Sequence, residues 1–233
     1  MTTNPIADAI KFIGVRDAEF GKQIRGASEE DIDRLERAAG KPLLPIHRHY
    51  LERLGRSSSW LKLGAAHFDV DSLIRFHEYY GEPDPEDHWL IGRASGDPGY
   101  NFYLWVENPD RVRVVSFPPD GNLLRIAGSL EQLICDRALA VFCDQKMPHH
   151  RQTEDLAGRQ ESRVDHLDAL LARMGLSPHW FSNDWFRTYE SHDALVSAYE
   201  VPDRHRLIVD VRATTRDELN RVFSDVRAFV KDG

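Results

Sequence analysis

Cysteine is nearly absent: the 233 residues hold only Cys135 and Cys143. Two cysteines cannot build a disulfide framework, and on the helix expected there they stand two turns apart, out of bridging reach. That usage suits a reducing compartment. Long apolar runs are missing as well, none approaching the ~18 residues of a membrane span. The opening MTTNPIADAIKFIG has neither the basic start nor the apolar stretch of a secretion signal. The expectation is a cytoplasmic protein with no membrane partner. Basic excess is lacking too: Lys and Arg number 30 against 38 Asp and Glu, a net charge of −8. Nucleic acid as a direct partner would require a basic face, so this balance argues against it.

What is present suits a folded domain. Hydrophobic residues make up 41% of the chain and charged residues 29%, the balance of a globular protein. The length fits one main domain with a smaller appendage. There is no internal repeat and no low-complexity tract.

Local signals mark the elements. Ser28 stands three residues before Asp31 as a capping-box pair, and Ile32, Leu35 and Ala39 follow at helical spacing up to Gly40. The prolines of KPLLP end that helix, and Pro45 opens another with Ile46, Tyr50, Leu51 and Leu54 before Gly55. SSSWLKLG reads as a strand through Trp60, Leu61 and Leu63, followed by a helix with Leu73, Ile74 and Phe76. HWLIGRA, NFYLWVE and RVRVVSF, separated by SGDPGY, NPD and PPDGN, predict an antiparallel meander, which the helix SLEQLICDRALAVFCDQ closes. KMPHHRQTEDLAGRQESR lacks apolar periodicity and reads as a linker. A helix at VDHLDALLARMGL, a hairpin turning at PDRH and a last helix capped by Thr214 or Thr215 follow it. The predicted fold is α+β: a meander sheet flanked by helices over residues 1–146, a linker at 147–159 and a small α+β unit at 160–233.

Sites for chemistry find little support. GRASGDPG lacks the Lys-Ser/Thr pair of a phosphate loop and leads into a strand, so it reads as a hairpin turn. His47 and His49 point to opposite sides of one helix, His149 and His150 lie in the expected linker, and no HExxH or CxxC accompanies them. These histidines read as solvated or locally bonded, and no metal or cofactor is assigned. No GxSxG elbow exists, and the two cysteines have apolar neighbours. The carboxylates of GEPDPED read as a solvated loop, which offers none of the desolvation that tunes an acid for proton transfer. No catalytic residue is assigned.

A surface argument remains. Between Asp69 and Asp87 seven carboxylates face the single base Arg75, an excess of six. Tyr79, Tyr80 and Trp89 lie among or beside them, and carboxylates mixed with aromatic anchors suit contact with a basic partner. The alternative is that Tyr80 and Trp89 belong to the core and the acids promote solubility. The candidate partner-binding residues are Asp71, Glu78, Tyr79, Glu82, Asp84, Glu86, Asp87 and Trp89, with Tyr100 at the edge of the glycine turn.

Three strings in order resemble the SUKH superfamily, the Smi/Knr-like immunity and regulatory domains. SEEDIDRLERAAGKPLLPIHRHYLERLG is similar to its opening pair of helices with the Leu44-Pro45 step. WLIGRASGDPGYNFYLWV is similar to its strand, glycine turn and strand, although Tyr100 stands where an acidic or amide residue often follows the turn. VRVVSFPPDGNLLRIAGSLEQLI is similar to its last strand and closing helix, with Ala127, Ser129 and Leu130 introducing the helix. The likeness covers about residues 20 to 145. It implies a domain that acts by binding rather than catalysis. In bacterial members the partner is commonly a toxin, often a nuclease, held inactive inside the producing cell. The expectation is an immunity-type protein whose partner is a basic toxin domain. The competing expectations are a regulatory or scaffold protein of the same fold and, from a different class, a small hydrolase or nucleotide-binding enzyme using the glycine loop and Asp97.

Overall fold

A computed structural model describes residues 4–56, 66–81, 83–94, 100–108, 111–117, 123–155, 164–183, 186–201 and 206–232. The chain is α+β and divides into two compact units, Met1–Leu139 and Ala140–Gly233.

The first unit begins with α1 (Pro5–Arg16), where Asn4 accepts a hydrogen bond from the Ala7 amide at 3.2 Å and Pro5 occupies the first turn. After the short α2 (Phe20–Gln23) comes α3 (Glu29–Ala39). Ser28 and Asp31 form the expected reciprocal box, and Gly40 ends the helix with φ 73°, a left-handed conformation open to glycine. Pro45 opens α4 (Pro45–Leu54), which buries His47, Tyr50, Leu51 and Leu54. A two-residue strand, β1 (Ala66–His67), leads to α5 (Val70–Tyr80), whose cap Asp69 accepts from the Ser72 amide at 2.9 Å. The strand expected around Trp60 lies outside the described residues.

The meander follows as β2 (His88–Ala94), β3 (Asn101–Asn108), β4 (Arg111–Phe117) and the short β5 (Leu124–Ala127), all antiparallel, with sheet order β1-β2-β3-β4-β5. Register is set with Leu90 opposite Tyr103 and Leu104 opposite Val114, and a bulge falls between Leu90 and Gly92. Gly92 is required there: a Cβ would lie 2.3 Å from the ring of fully buried Phe68. Phe68, immediately after β1, meets Phe102 of β3 in a tilted contact at 5.4 Å between centroids, which joins the end of β1 to the aromatic core of the meander. The helix α6 (Leu130–Lys146) closes the meander and contains the division between the units.

The second unit corrects the expected linker. Residues 149–155 form β6 (His149–Asp155), paired along its whole length with a later strand. Its polar composition hid it, because the backbone partner rather than apolar periodicity holds it in place. Next come α7 (Val164–Arg173), β7 (Ser177–Pro178), β8 (Phe186–Glu190), β9 (Ala194–Val201), β10 (Arg206–Ala213) and α8 (Arg216–Asp232). The sheet order is β6-β10-β9-β8-β7, so the expected hairpin β9–β10 sits within five antiparallel strands; its turn lies outside the described residues. Alternate residues Ala194, Val196 and Ala198 of β9 and Leu207, Val209 and Val211 of β10 pack with Leu167, Leu171, Val222 and Val226 of the two helices. Thr215 caps α8 by accepting from the Glu218 amide, and Thr214 instead bonds the Asp193 carboxylate.

Candidate functional site

An open groove of about 750 Å³ runs along the outer side of α5 and the neighbouring ends of β1 and β2. Gly81, at φ 63°, stops α5 immediately after Tyr79 and Tyr80, leaving both rings at the helix end. Tyr79 is 82% exposed and Tyr80 46% exposed, although the two rings meet edge to face at 4.9 Å.

Two arginines absent from the sequence-based site line the same groove. The Arg93 guanidinium lies 4.8 Å from the Phe76 ring centre and 4.6 Å from that of Tyr80, and it donates to the Tyr80 hydroxyl at 2.6 Å. Arg75 donates to the Asp71 carbonyl at 3.2 Å and the Ser72 hydroxyl at 3.3 Å. Among the described residues neither guanidinium pairs with a carboxylate. Arg75 was visible in the sequence as the lone base of an acidic stretch. Arg93 joins it only through the approach of β2 to α5, which no local pattern encodes.

The acidic segment is not a uniform field. Asp71 pairs with Arg56 at 2.9 Å, and Arg34 grips Glu78 bidentately at 2.8 and 2.7 Å. Glu82 lies outside the described residues. Glu86 and Asp87 are exposed, yet Lys41 is fastened beneath them, its Nζ donating to the carbonyls of Pro85 at 2.9 Å, Glu86 at 3.3 Å and His88 at 2.5 Å. Trp89 is half-buried: its indole N–H donates to the Pro42 carbonyl at 2.9 Å, and Lys41 sits 4.1 Å above its ring. Tyr100, 45% exposed, follows the glycine turn at the start of β3; the turn itself lies outside the described residues.

Asp84 corrects the expectation of a fully solvated loop. Its side chain is 4% exposed, accepts from the Leu90 amide at 2.9 Å and stands 3.8 Å from the His77 ring. Burial pushes its pKa up, while the Leu90 hydrogen bond, His77 and Lys41 oppose that shift. A carboxylate with such partners can be buried where four unpartnered ones could not.

The histidine expectation also needs correction. His49 is exposed, but His47, on the opposite side of α4, is fully buried, and neither ring nitrogen has a hydrogen-bond partner among the described residues. Burial, with His77 nearby, holds its pKa down to about 3, so the ring is neutral. Among the described residues no group of three or more His, Cys, Asp or Glu is placed to hold a metal ion. Burial raises the Cys135 thiol far above its ordinary range, which leaves it protonated inside α6.

The arrangement can bind. It offers aromatic surface and two planar cations on α5 and β2, and the loop between these elements carries exposed carboxylates. No family model, curated protein or solved structure matches the chain. The class that the fold defines is an α+β protein, with two antiparallel five-stranded sheets among the described residues. Among the described residues no helix is long and apolar enough to cross a membrane.

Proposed function

We propose that this chain is a binding protein of the immunity type, which neutralises a cognate bacterial toxin by covering its functional surface and makes or breaks no bond. The observation behind this reading is the pair Tyr79 and Tyr80, exposed at the mouth of a groove on α5. Tyrosine and arginine are the residue types that dominate binding energy at protein interfaces. Glu86 and Asp87 are exposed on the loop between α5 and β2, and the net charge of −8 favours fast approach of a basic partner such as a nuclease domain. The likeness of residues 20–145 to the SUKH superfamily points the same way.

Affinity capture from the native cell, followed by coexpression of the captured protein, tests the reading. The expected result is a basic protein whose expression arrests growth and whose toxicity this chain relieves. A captured partner that is harmless to growth would favour a regulatory or scaffold role. Turnover of a substrate by the purified chain would contradict binding as the whole function.

A further inference from the structure

The groove on α5 differs in sign from the protein around it. The chain is acidic overall, yet Arg75 and Arg93 line the groove without a carboxylate partner among the described residues. Glu78, which shares that lining, is already neutralised by the bidentate Arg34. Arg93 is also preorganised, since its guanidinium is held against Phe76 and Tyr80 and, among the described residues, only the Tyr80 hydroxyl takes one of its N–H groups. A planar cation with unused donors, fixed on aromatic faces, suits the bidentate geometry of a carboxylate.

Resting on the binding role proposed above, we infer that this groove receives an acidic side chain, Glu or Asp, from a peptide segment of the partner. Arg75 and Arg93 take the carboxylate, and the Tyr79 ring covers the adjoining residue. The charge distribution favours a protein segment over a free polyanion. A net charge of −8 repels a ligand with several negative charges, whereas a partner that is basic elsewhere is drawn in and delivers a single carboxylate to the groove.

Selection from a phage-displayed library of random peptides, with the full chain as bait, tests this inference. Selected peptides are expected to be enriched in Asp and Glu. Replacing that acid by its amide should weaken binding to the full chain by about tenfold or more, the value of a charge-assisted hydrogen bond. Arg75→Gln should produce the same loss, and the two changes together should cost little more than either alone. Arg93→Lys, which keeps the charge but loses the planar fork, should also weaken binding. A selection that yields no binder, peptides without acidic enrichment, or affinities indifferent to Arg75→Gln and Arg93→Lys would overturn the inference. So would adenosine monophosphate or inorganic phosphate occupying the groove more tightly than the peptides. If the captured partner still binds these arginine variants with full affinity, the binding role stands and only the carboxylate subsite falls.

Discussion

At the scale of single residues, the first unit contains a histidine that ought to be easier to improve than to keep. His47 is fully buried with no partner for either nitrogen among the described residues, so replacing it by an apolar side chain of similar size removes an uncompensated desolvation cost. His47→Leu is expected to raise stability by about 1–2 kcal/mol in urea titration at neutral pH. The pH dependence follows from the same ring. Its pKa falls from 6.5 to about 3 on folding, so across that window the unfolded chain takes up a proton that the folded chain refuses. Stability from neutral His47 is therefore complete above pH 6.5 and declines as the pH falls towards 3. His47→Leu should flatten that decline, and urea midpoints measured between those limits check it. Gly92 is a second sensitive position. Its missing Cβ leaves room for the Phe68 ring, and Gly92→Ala is expected to cost about 1–3 kcal/mol through overpacking, measured the same way.

At the scale of elements, Lys41 fastens the loop between α5 and β2 by three carbonyls and supports the Trp89 ring. Lys41→Met should loosen that loop at a cost of about 1–3 kcal/mol. The amide of Leu90 should exchange faster with solvent, and the Trp89 indole N–H resonance should shift, both visible by NMR. How much of the fold could be read from sequence also divides by element. The ends of α3 and α4 were legible because Ser28, Asp31, Gly40 and Pro45 are local signals that act on their own backbone neighbours. The strands β2, β3 and β4 were legible from their aromatic and β-branched residues. Other elements were hidden: α1 was not anticipated, α2, β1, β5 and β7 are four residues or shorter, β8 has five, and β6 is polar and depends on β10 for its register. The site divided likewise. Tyr79 and Tyr80 could be named from composition, but the burial of Asp84 depends on Leu90 and His77, and the pairing of Glu78 depends on Arg34, 44 residues away. Arg93 comes to the groove from a different element, which makes it invisible to any local window.

At the scale of the whole molecule, the acidic excess is better described as partly spent within the fold. Arg34 and Arg56 bind two of the seven carboxylates of the 69–87 stretch, and Asp84 is buried. On the proposed reading, steering therefore falls to acids such as Glu86 and Asp87. Reversing both, as Glu86→Lys with Asp87→Lys, is expected to slow association with a basic partner several-fold at low salt and to leave dissociation nearly unchanged, as surface plasmon resonance would record. On the proposed reading, the residence of the complex belongs instead to the aromatic face. The most direct measurement is the equilibrium affinity of the captured partner for the chain bearing Tyr79→Ala and Tyr80→Ala, with thermal unfolding recorded alongside. A loss of about thirtyfold or more with an unaltered unfolding temperature is expected of two anchoring tyrosines. Full affinity in the double variant would contradict the assignment of the α5 groove as the contact face.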